Sequence, residues 1–330
     1  MEVRLKVKRY DPEAPPEQAT RYQEYTVDMP ENATVLDSLI EVREYHDGSL
    51  ALRCSCRSAI CGSCNCRING RARLACKTQI SSVAGENGEI VVEPAGNMPV
   101  IKDLVVDMAP FWSKVRAVKP WLQPEGPPPE REYLVPAESM TALAEVMNCI
   151  MCGACVSDCT SLEVDKSFLG PAALAKAYRF VGDPRDDATL ARLRELSEPS
   201  GMWDCTRCNM CVQVCPKDVK PMEQILKLRS EAVHAGIKDN NGSRHTLAFV
   251  ELVDANGRLD EFRLPVYTEG KFNFIGQLSY LPSAPRMLRA GKMPPVFPHK
   301  ISGIRHVKRI FKRFEKKPGL PFRPAGKGGH

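Results

Sequence analysis

A chain of 330 residues in which 43% of side chains are hydrophobic is long enough for two or three domains with ordinary cores, and this excludes wholesale disorder. Its formal charge of +6 is unevenly spread: residues 300–330 hold ten Lys and Arg against one acid, Glu315, so the remainder carries about three net negative charges, and the lack of a basic, aromatic-interleaved groove excludes nucleic acid as a partner. Fourteen cysteines gathered in runs, an opening without an apolar leader and no run of roughly 18 apolar residues predict a reducing compartment, no disulfide framework and no transmembrane helix.

The opening Met1-Glu2-Val3-Arg4-Leu5-Lys6-Val7 alternates charged and apolar residues, which predicts a strand with Val3, Leu5 and Val7 on one face. Tyr22 to Val27 predicts a second strand after a polar, Pro-containing turn. Thr34-Val35-Leu36-Asp37 has the form of a capping box opening a helix through Val42. A cysteine loop follows, Cys56-x4-Cys61-x2-Cys64 completed by Cys76, which is the plant-type ferredoxin spacing for a [2Fe–2S] cluster. Asn69-Gly70 predicts a hairpin turn between Cys66 to Ile68 and Arg73 to Cys76, and Glu89 to Glu93 reads as a further strand. Cys54 and Cys66 break these intervals, and are read as small residues shielding the cluster rather than ligands.

The stretch Pro120-Trp121-Leu122-Gln123-Pro124-Glu125-Gly126-Pro127-Pro128-Pro129 cannot continue a helix or a central strand and predicts a linker. Helices are expected over Ser139 to Asn148, from Pro171 to Val181 with a stop at Gly182, and from Pro221 to Ala235 before Gly236. Between them lie two copies of one motif, Cys149-x2-Cys152-x2-Cys155-x3-Cys159 and Cys205-x2-Cys208-x2-Cys211-x3-Cys215-Pro216, each the bacterial ferredoxin run and together an internal repeat. In two-cluster ferredoxins the fourth cysteine of a run serves the other cluster. This assigns Cys149, Cys152, Cys155 and Cys215 to one cubane and Cys159, Cys205, Cys208 and Cys211 to the other. Structural zinc is the competing reading, but zinc sites use separated CxxC pairs and no such pattern accounts for a CxxCxxCxxxC repeat.

Beyond Gly236, Val250 to Val253 and Arg258 to Leu264 read as strands around an Asn256-Gly257 turn. Near the end Ile304, Val307, Ile310, Phe311 and Phe314 recur at helical spacing, with Arg305, Lys308, Arg309, Lys312 and Arg313 on the other face. Such a helix suits an anionic bilayer surface, an acidic apolar partner, or packing on its own domain. No G-x-G-x-x-G opens a βαβ unit and the six histidines form no acid–base constellation, so substrate chemistry is assigned to a partner and no catalytic residue to this chain.

With these residues in view the chain resembles the iron–sulfur subunit of succinate dehydrogenase and fumarate reductase over about residues 1–235. The resemblance rests on the order of the three motifs, on Val100-Ile101-Lys102-Asp103-Leu104-Val105-Val106-Asp107 before Lys119-Pro120-Trp121-Leu122, and on Cys215-Pro216-Lys217-Asp218. It implies an α+β chain: an N-terminal β-grasp plant-type ferredoxin domain (1–118), a Pro-rich linker (119–136), an α-helical two-cluster ferredoxin domain (137–238) and a C-terminal extension with the basic helix (239–330). It also implies electron relay between FAD in a partner flavoprotein and a quinone or membrane-anchor subunit, at the cytoplasmic side of the membrane and held there by partners, with the cluster on Cys56, Cys61, Cys64 and Cys76 nearest the flavin. An iron–sulfur subunit of a heterodisulfide-reductase-like or glycolate-oxidase-like complex is the alternative, although it need not carry the plant-type domain.

Two departures from the family pattern stand out. The position of Cys208 is aliphatic in most of the family, where the adjoining cluster is [3Fe–4S]; a cysteine there favours a second [4Fe–4S]. The Pro, Trp and His that line the family's quinone pocket are replaced by Thr160, Ser161, Leu162, Glu163 and Thr206, while Trp203 reads as a core aromatic. This pattern leans towards the subtype whose membrane partner is a cysteine-rich, heterodisulfide-reductase-like subunit.

Overall fold

The computed structural model describes residues 1–85 and 88–315, with side chains up to residue 313. Five strands, β1 (Glu2–Tyr10), β2 (Thr20–Asp28), β3 (Asn65–Ile68), β4 (Arg71–Leu74) and β5 (Glu89–Glu93), form one sheet in the order β2-β1-β5-β3-β4. The predicted alternation holds, with Val3, Leu5 and Val7 fully buried, Glu2 and Arg4 exposed and Lys6 half-buried. β1 runs antiparallel to β2 over its whole length and parallel to β5. Helix α1 (Val35–Glu41) covers the buried face, continuing as a π-helical turn over Val42–His46. Its capping box is reciprocal: Asp37 N donates to Thr34 Oγ1 at 3.3 Å and Thr34 N to Asp37 Oδ2 at 2.9 Å. Asn69 and Gly70 make the β3–β4 turn with φ of 50° and 75°, both left-handed as a type I′ turn requires.

A second hairpin, β6 (Val100–Lys102) and β7 (Val105–Val106), lies on the segment that carried the family resemblance. Buried Asp103 at its turn accepts from Arg9 Nε at 2.9 Å, Tyr10 N at 3.1 Å and Ala51 N at 2.8 Å. The start of the cysteine loop is thereby tied to β1, and Arg53 Nη1 adds a bond to Val106 O at 2.9 Å.

After α2 (Ala109–Ala117) the proline-rich stretch has no regular structure, but it is pinned down. Arg192, buried, donates to the carbonyls of Val118, Lys119 and Trp121 at 3.0, 2.8 and 2.7 Å, while Asp186 holds both Arg192 and Gln123 N. Helices then dominate: α3 (Ala137–Met147), α4 (Ala154–Ser157), α5 (Thr160–Val164), α6 (Gly170–Val181), α7 (Thr189–Leu196), α8 (Met210–Gln213) and α9 (Pro221–His234). The alanine-rich α6 is the hub, burying Ala172, Ala173, Leu174, Ala175, Ala177 and Tyr178. Residues Met1–Arg192 and Glu198–Leu228 form one compact unit, so the sheet and both bacterial cysteine runs share it.

The second unit, which includes Arg229 onward, corrects one expectation. Val250 to Val253 and Arg258 to Leu264 are not strands. Helix α10 spans Asn241–Asn256, opened by the Asn240 side chain accepting from Ser243 N at 2.8 Å, and Leu264 begins α11 (Leu264–Glu269). Asn256-Gly257 is the end of a helix instead of a hairpin turn: Gly257 has φ of 75° and its N–H returns to Val253 O at 2.7 Å. Short helices α12 (Phe274–Leu278) and α13 (Ala284–Arg289) precede α14 (Ile304–Glu315), the predicted basic helix. α14 packs along α10, with Ile301 and Ile304 closing on Gly257; Ile304, Val307 and Phe311 are half-buried, and Ile310 is exposed. The side chain of Phe314 and residues 316–330 lie outside the described residues.

Candidate metal centres

The plant-type loop folds back on its own sulfurs. The amides of Ser58, Ile60 and Cys61 donate to Cys56 Sγ at 3.4, 3.3 and 3.2 Å, and Ala59 N donates to Cys76 Sγ at 3.3 Å. Such wrapping needs left-handed backbone, found at Arg57, Ala59 and Gly62. Cys64 and Cys76 are buried on the core, whereas Cys61 is exposed. The Cys61 thiol is lowered to about 6, first by its hydrogen bond with Ser63 Oγ, 2.9 Å away, while burial pushes Cys64 up to about 12. Cys66, on β3, is buried still more completely and its thiol is pushed up by desolvation; Cys54 is half-buried against the same core.

The two bacterial runs are built alike. Met151 and Gly153, on either side of Cys152, have φ of 56° and 80°; Arg207 and Asn209, on either side of Cys208, have 58° and 67°. Each run then enters a four-residue helix, α4 or α8. The internal repeat of the sequence is thus a repeat of backbone conformation, with the more permissive Gly and Asn after the second cysteine.

The fourth cysteines cross over. Cys149, Cys152, Cys155 and Cys215 line one cavity together with Ala172 and Ala175 of α6, and Val219 N donates to Cys215 Sγ at 3.4 Å. Cys159 lies within electrostatic reach of Cys205 and Cys208, and Cys211 of all three. Burial pushes the thiols of Cys152 and Cys211 up to about 11 and 12, and that of Cys155 well above its ordinary range. Four thiols facing one cavity, with Cys149, Cys152 and Cys155 desolvated, suit a group that brings its own positive charge, as the irons of a cluster do, and clustered thiolates are the donor set such groups require. Among the described residues no three His, Cys, Asp or Glu side chains meet at the spacing of a lone ion. Cys208 differs from its neighbours in being exposed: burial raises its thiol, but hydrogen bonds from Thr160, Met210 N and Thr206 outweigh burial and lower it.

The three cysteine groups are joined in series. A Cβ added to Gly62 would come within 2.6 Å of Cys152 Cβ, so the plant-type loop rests directly on the first bacterial run. Cys155 in turn lies within reach of Cys211 in the third group. Residues that motif reading missed fix these contacts. Asp158, buried beside Cys159, accepts from Ala72 N at 2.8 Å, Arg67 Nε at 3.1 Å and Ser157 Oγ at 3.0 Å. Asn97 Nδ2 donates to the carbonyls of Val156, Ser157 and Cys159 at 2.9, 3.2 and 3.0 Å, and Gly96 N to Ser157 Oγ at 2.9 Å. The available signal was an acid placed inside the x3 interval of a cluster motif, since a carboxylate there is costly unless donors are brought to it.

Comparison with known proteins agrees with this architecture. Residues 4–113 match the 2Fe-2S iron-sulfur cluster binding domain, and residues 145–219 the 4Fe-4S dicluster domain. The fumarate reductase iron-sulfur subunit of Mycobacterium tuberculosis is 39% identical over 234 residues, 70% of this chain and 93% of the relative. The chain belongs to the iron–sulfur subunits of succinate dehydrogenases and fumarate reductases. The 8-methylmenaquinol:fumarate reductase iron-sulfur subunit of Wolinella succinogenes is 33% identical over 272 residues (81% of this chain, 84% of that one), and the succinate dehydrogenase iron-sulfur subunit of Paracoccus denitrificans 36% over 228 (68% and 86%). The solved Mycobacterium smegmatis Sdh1 complex in the apo form contains a chain that superposes with a TM-score of 0.63 at 26% identity, covering 72% of this chain and 98% of its own length. As a member of this family the chain is the electron-transfer subunit of an oxidoreductase, with [2Fe–2S] and [4Fe–4S] clusters as cofactors.

Proposed function

We propose that this subunit carries electrons between FAD in a partner flavoprotein and a membrane-side partner, with Cys56, Cys61, Cys64 and Cys76 holding a [2Fe–2S] cluster, Cys149, Cys152, Cys155 and Cys215 a [4Fe–4S] cluster, and Cys159, Cys205, Cys208 and Cys211 a second [4Fe–4S]. The clusters supply one-electron storage, and the protein supplies their order, burial and N–H···S bonds. The observation carrying this reading is the series contact, Gly62 on Cys152 and Cys155 near Cys211, with an exposed cysteine at each end, Cys61 and Cys208. The sheet with α1 across it is read as a β-grasp plant-type ferredoxin domain (1–118), followed by the linker (119–136), the α-helical two-cluster domain (137–238) and the extension (239–330). Its exposed loop edge, with Arg57, Ile60 and Cys61, is the face we assign to the flavoprotein.

At the other end Cys208 is flanked by exposed Thr160 and Thr206, with Ser161 Oγ 3.5 Å from Thr206 Oγ1, and Val164 is 91% exposed. Thr160, Ser161, Leu162, Glu163 and Thr206 stand where the family's quinone pocket has Pro, Trp and His, which supports electron hand-over to a cysteine-rich membrane partner at the cytoplasmic face of the membrane. The test is EPR of the anaerobically purified protein with iron and zinc quantified. Two interacting [4Fe–4S] signals on reduction beside a [2Fe–2S] signal support the assignment; an oxidised-state [3Fe–4S] signal not caused by oxygen would remove Cys208 from the ligands, and zinc in place of iron would overturn the whole reading.

A further inference from the structure

The second unit carries a surface that electron relay does not use. Residues 271–314 contain ten Lys and Arg and no Asp or Glu. Thirteen large apolar side chains in the same segment are exposed, among them Phe272 (88%), Ile275 (84%), Leu288 (71%) and Phe297 (82%). A folded chain ordinarily hides most such groups, and this many large apolar side chains left exposed within one stretch of sequence mark an interaction surface. Arg286, Arg289 and Lys292 are exposed among them, flanking Met287, Leu288 and Met293. Among the described residues Lys271 alone of the ten has a carboxylate partner, Glu251 at 3.0 Å. On α14 the half-buried Ile304, Val307 and Phe311 face inward, which leaves Arg305, Lys308, Arg309, Lys312 and Arg313 exposed.

We infer that this segment binds directly to an anionic lipid bilayer, with the phenylalanines and aliphatic side chains of 272–297 entering the headgroup boundary and the cations lying on the phosphates. Charge complementarity selects this occupant. Protein interfaces concentrate apolar side chains in a core depleted of charge, particularly of Lys, whereas here Arg286, Arg289, Lys292 and Lys300 are interspersed with Met287, Leu288, Met293, Val296 and Phe297, next to the apolar stretch of 272–281 and with no acid among them, which is the composition of interfacial segments. No helix among the described residues is long and apolar enough to cross a membrane, so the attachment is monotopic. It is independent of any attachment through a partner subunit and stands whether or not Cys208 binds iron.

The test is sedimentation of the purified, cluster-loaded full chain with vesicles of equal parts phosphatidylglycerol and phosphatidylcholine, and with phosphatidylcholine alone. Binding to the first, weak binding to the second and loss at high salt are expected. Each cation near an anionic surface contributes roughly fivefold in affinity, so the triple variant Arg286→Gln, Arg289→Gln, Lys292→Gln is expected to bind about a hundredfold more weakly. The variant Phe272→Ser, Phe274→Ser, Ile275→Ser is expected to lose binding at all salt concentrations. Unchanged visible absorbance and melting temperature certify that the variants are folded. Absence of binding by the native chain overturns the inference, as does binding that neither variant weakens; a segment that ignores vesicles but holds a co-expressed acidic subunit would be a protein interface.

Discussion

Gly62 offers the sharpest perturbation of the relay. Its φ of 75° lies in the left-handed region, and an added Cβ would sit 2.6 Å from Cys152 Cβ and 2.8 Å from Cys152 Cα. Carbon atoms in contact stand about 3.5–4.0 Å apart, so Gly62→Ala requires the plant-type loop and the first bacterial run to separate by roughly 1 Å. The left-handed conformation costs a non-glycine residue about 1–2 kcal/mol, and overpacking adds about 1–3 kcal/mol. Gly70→Ala separates the two: Gly70 also has φ of 75° but nothing lies within 4 Å of its Cβ position, so that variant bears the conformational cost alone. Gly96→Ala isolates the other part, since its Cβ would meet Ser157 O at 2.6 Å without a left-handed φ. Anaerobic thermal unfolding is expected to rank Gly62→Ala lowest, several degrees below Gly70→Ala. Rapid-freeze EPR after a reducing pulse is expected to show slower equilibration between the [2Fe–2S] centre and the cubanes in Gly62→Ala than in Gly70→Ala. If Gly62→Ala and Gly96→Ala both match Gly70→Ala in melting and equilibration with full iron content, the direct seating of one loop on the other is refuted.

Replacing Cys208 with Val is expected to convert the third centre to a [3Fe–4S] cluster with an oxidised-state EPR signal and a raised potential, leaving the other two centres unchanged. Asp158→Ala strands the buried Ala72 N–H and removes the acceptor of Arg67, and is expected to cost about 3 kcal/mol in denaturant unfolding; Asp158→Asn should recover part of that. At Asp183 burial raises the carboxyl, but Arg185 and Arg179 outweigh it and hold it down to about 2. Because the folded-state value lies below the ordinary one, its contribution to stability is full above about pH 4 and lost as pH falls towards 2. Asp183→Asn is therefore expected to flatten the acid limb of melting temperature against pH.

The parts of this molecule legible in its sequence are those whose physics is local. Cysteine spacing is dictated by how a short loop wraps a cluster, so twelve cysteines could be proposed as ligands without coordinates, and Cys215 does line one cavity with Cys149, Cys152 and Cys155 as the two-cluster pattern led us to expect. Strand alternation at Val3, Leu5 and Val7, the Thr34–Asp37 box and the Asn69–Gly70 turn are settled within a few residues, and each is found where expected.

Asn256-Gly257 shows where local reading stops, because two left-handed-tolerant residues serve a type I′ hairpin and a helix end equally well. What selects the helix is far away: the Asn240 cap lies sixteen residues upstream of Asn256, and Ile301 and Ile304 pack where a Gly257 side chain would stand. The contacts that join the cysteine-bearing segments are of the same kind. Asp158 reaches Ala72 and Arg67 across 86 and 91 residues of sequence, and Asn97 reaches Cys159 across 62. No periodicity reports such pairs. A motif therefore says which atoms can hold a cluster, while the distance an electron must travel between clusters depends on residues such as Gly62, whose missing side chain lets one loop lie against another.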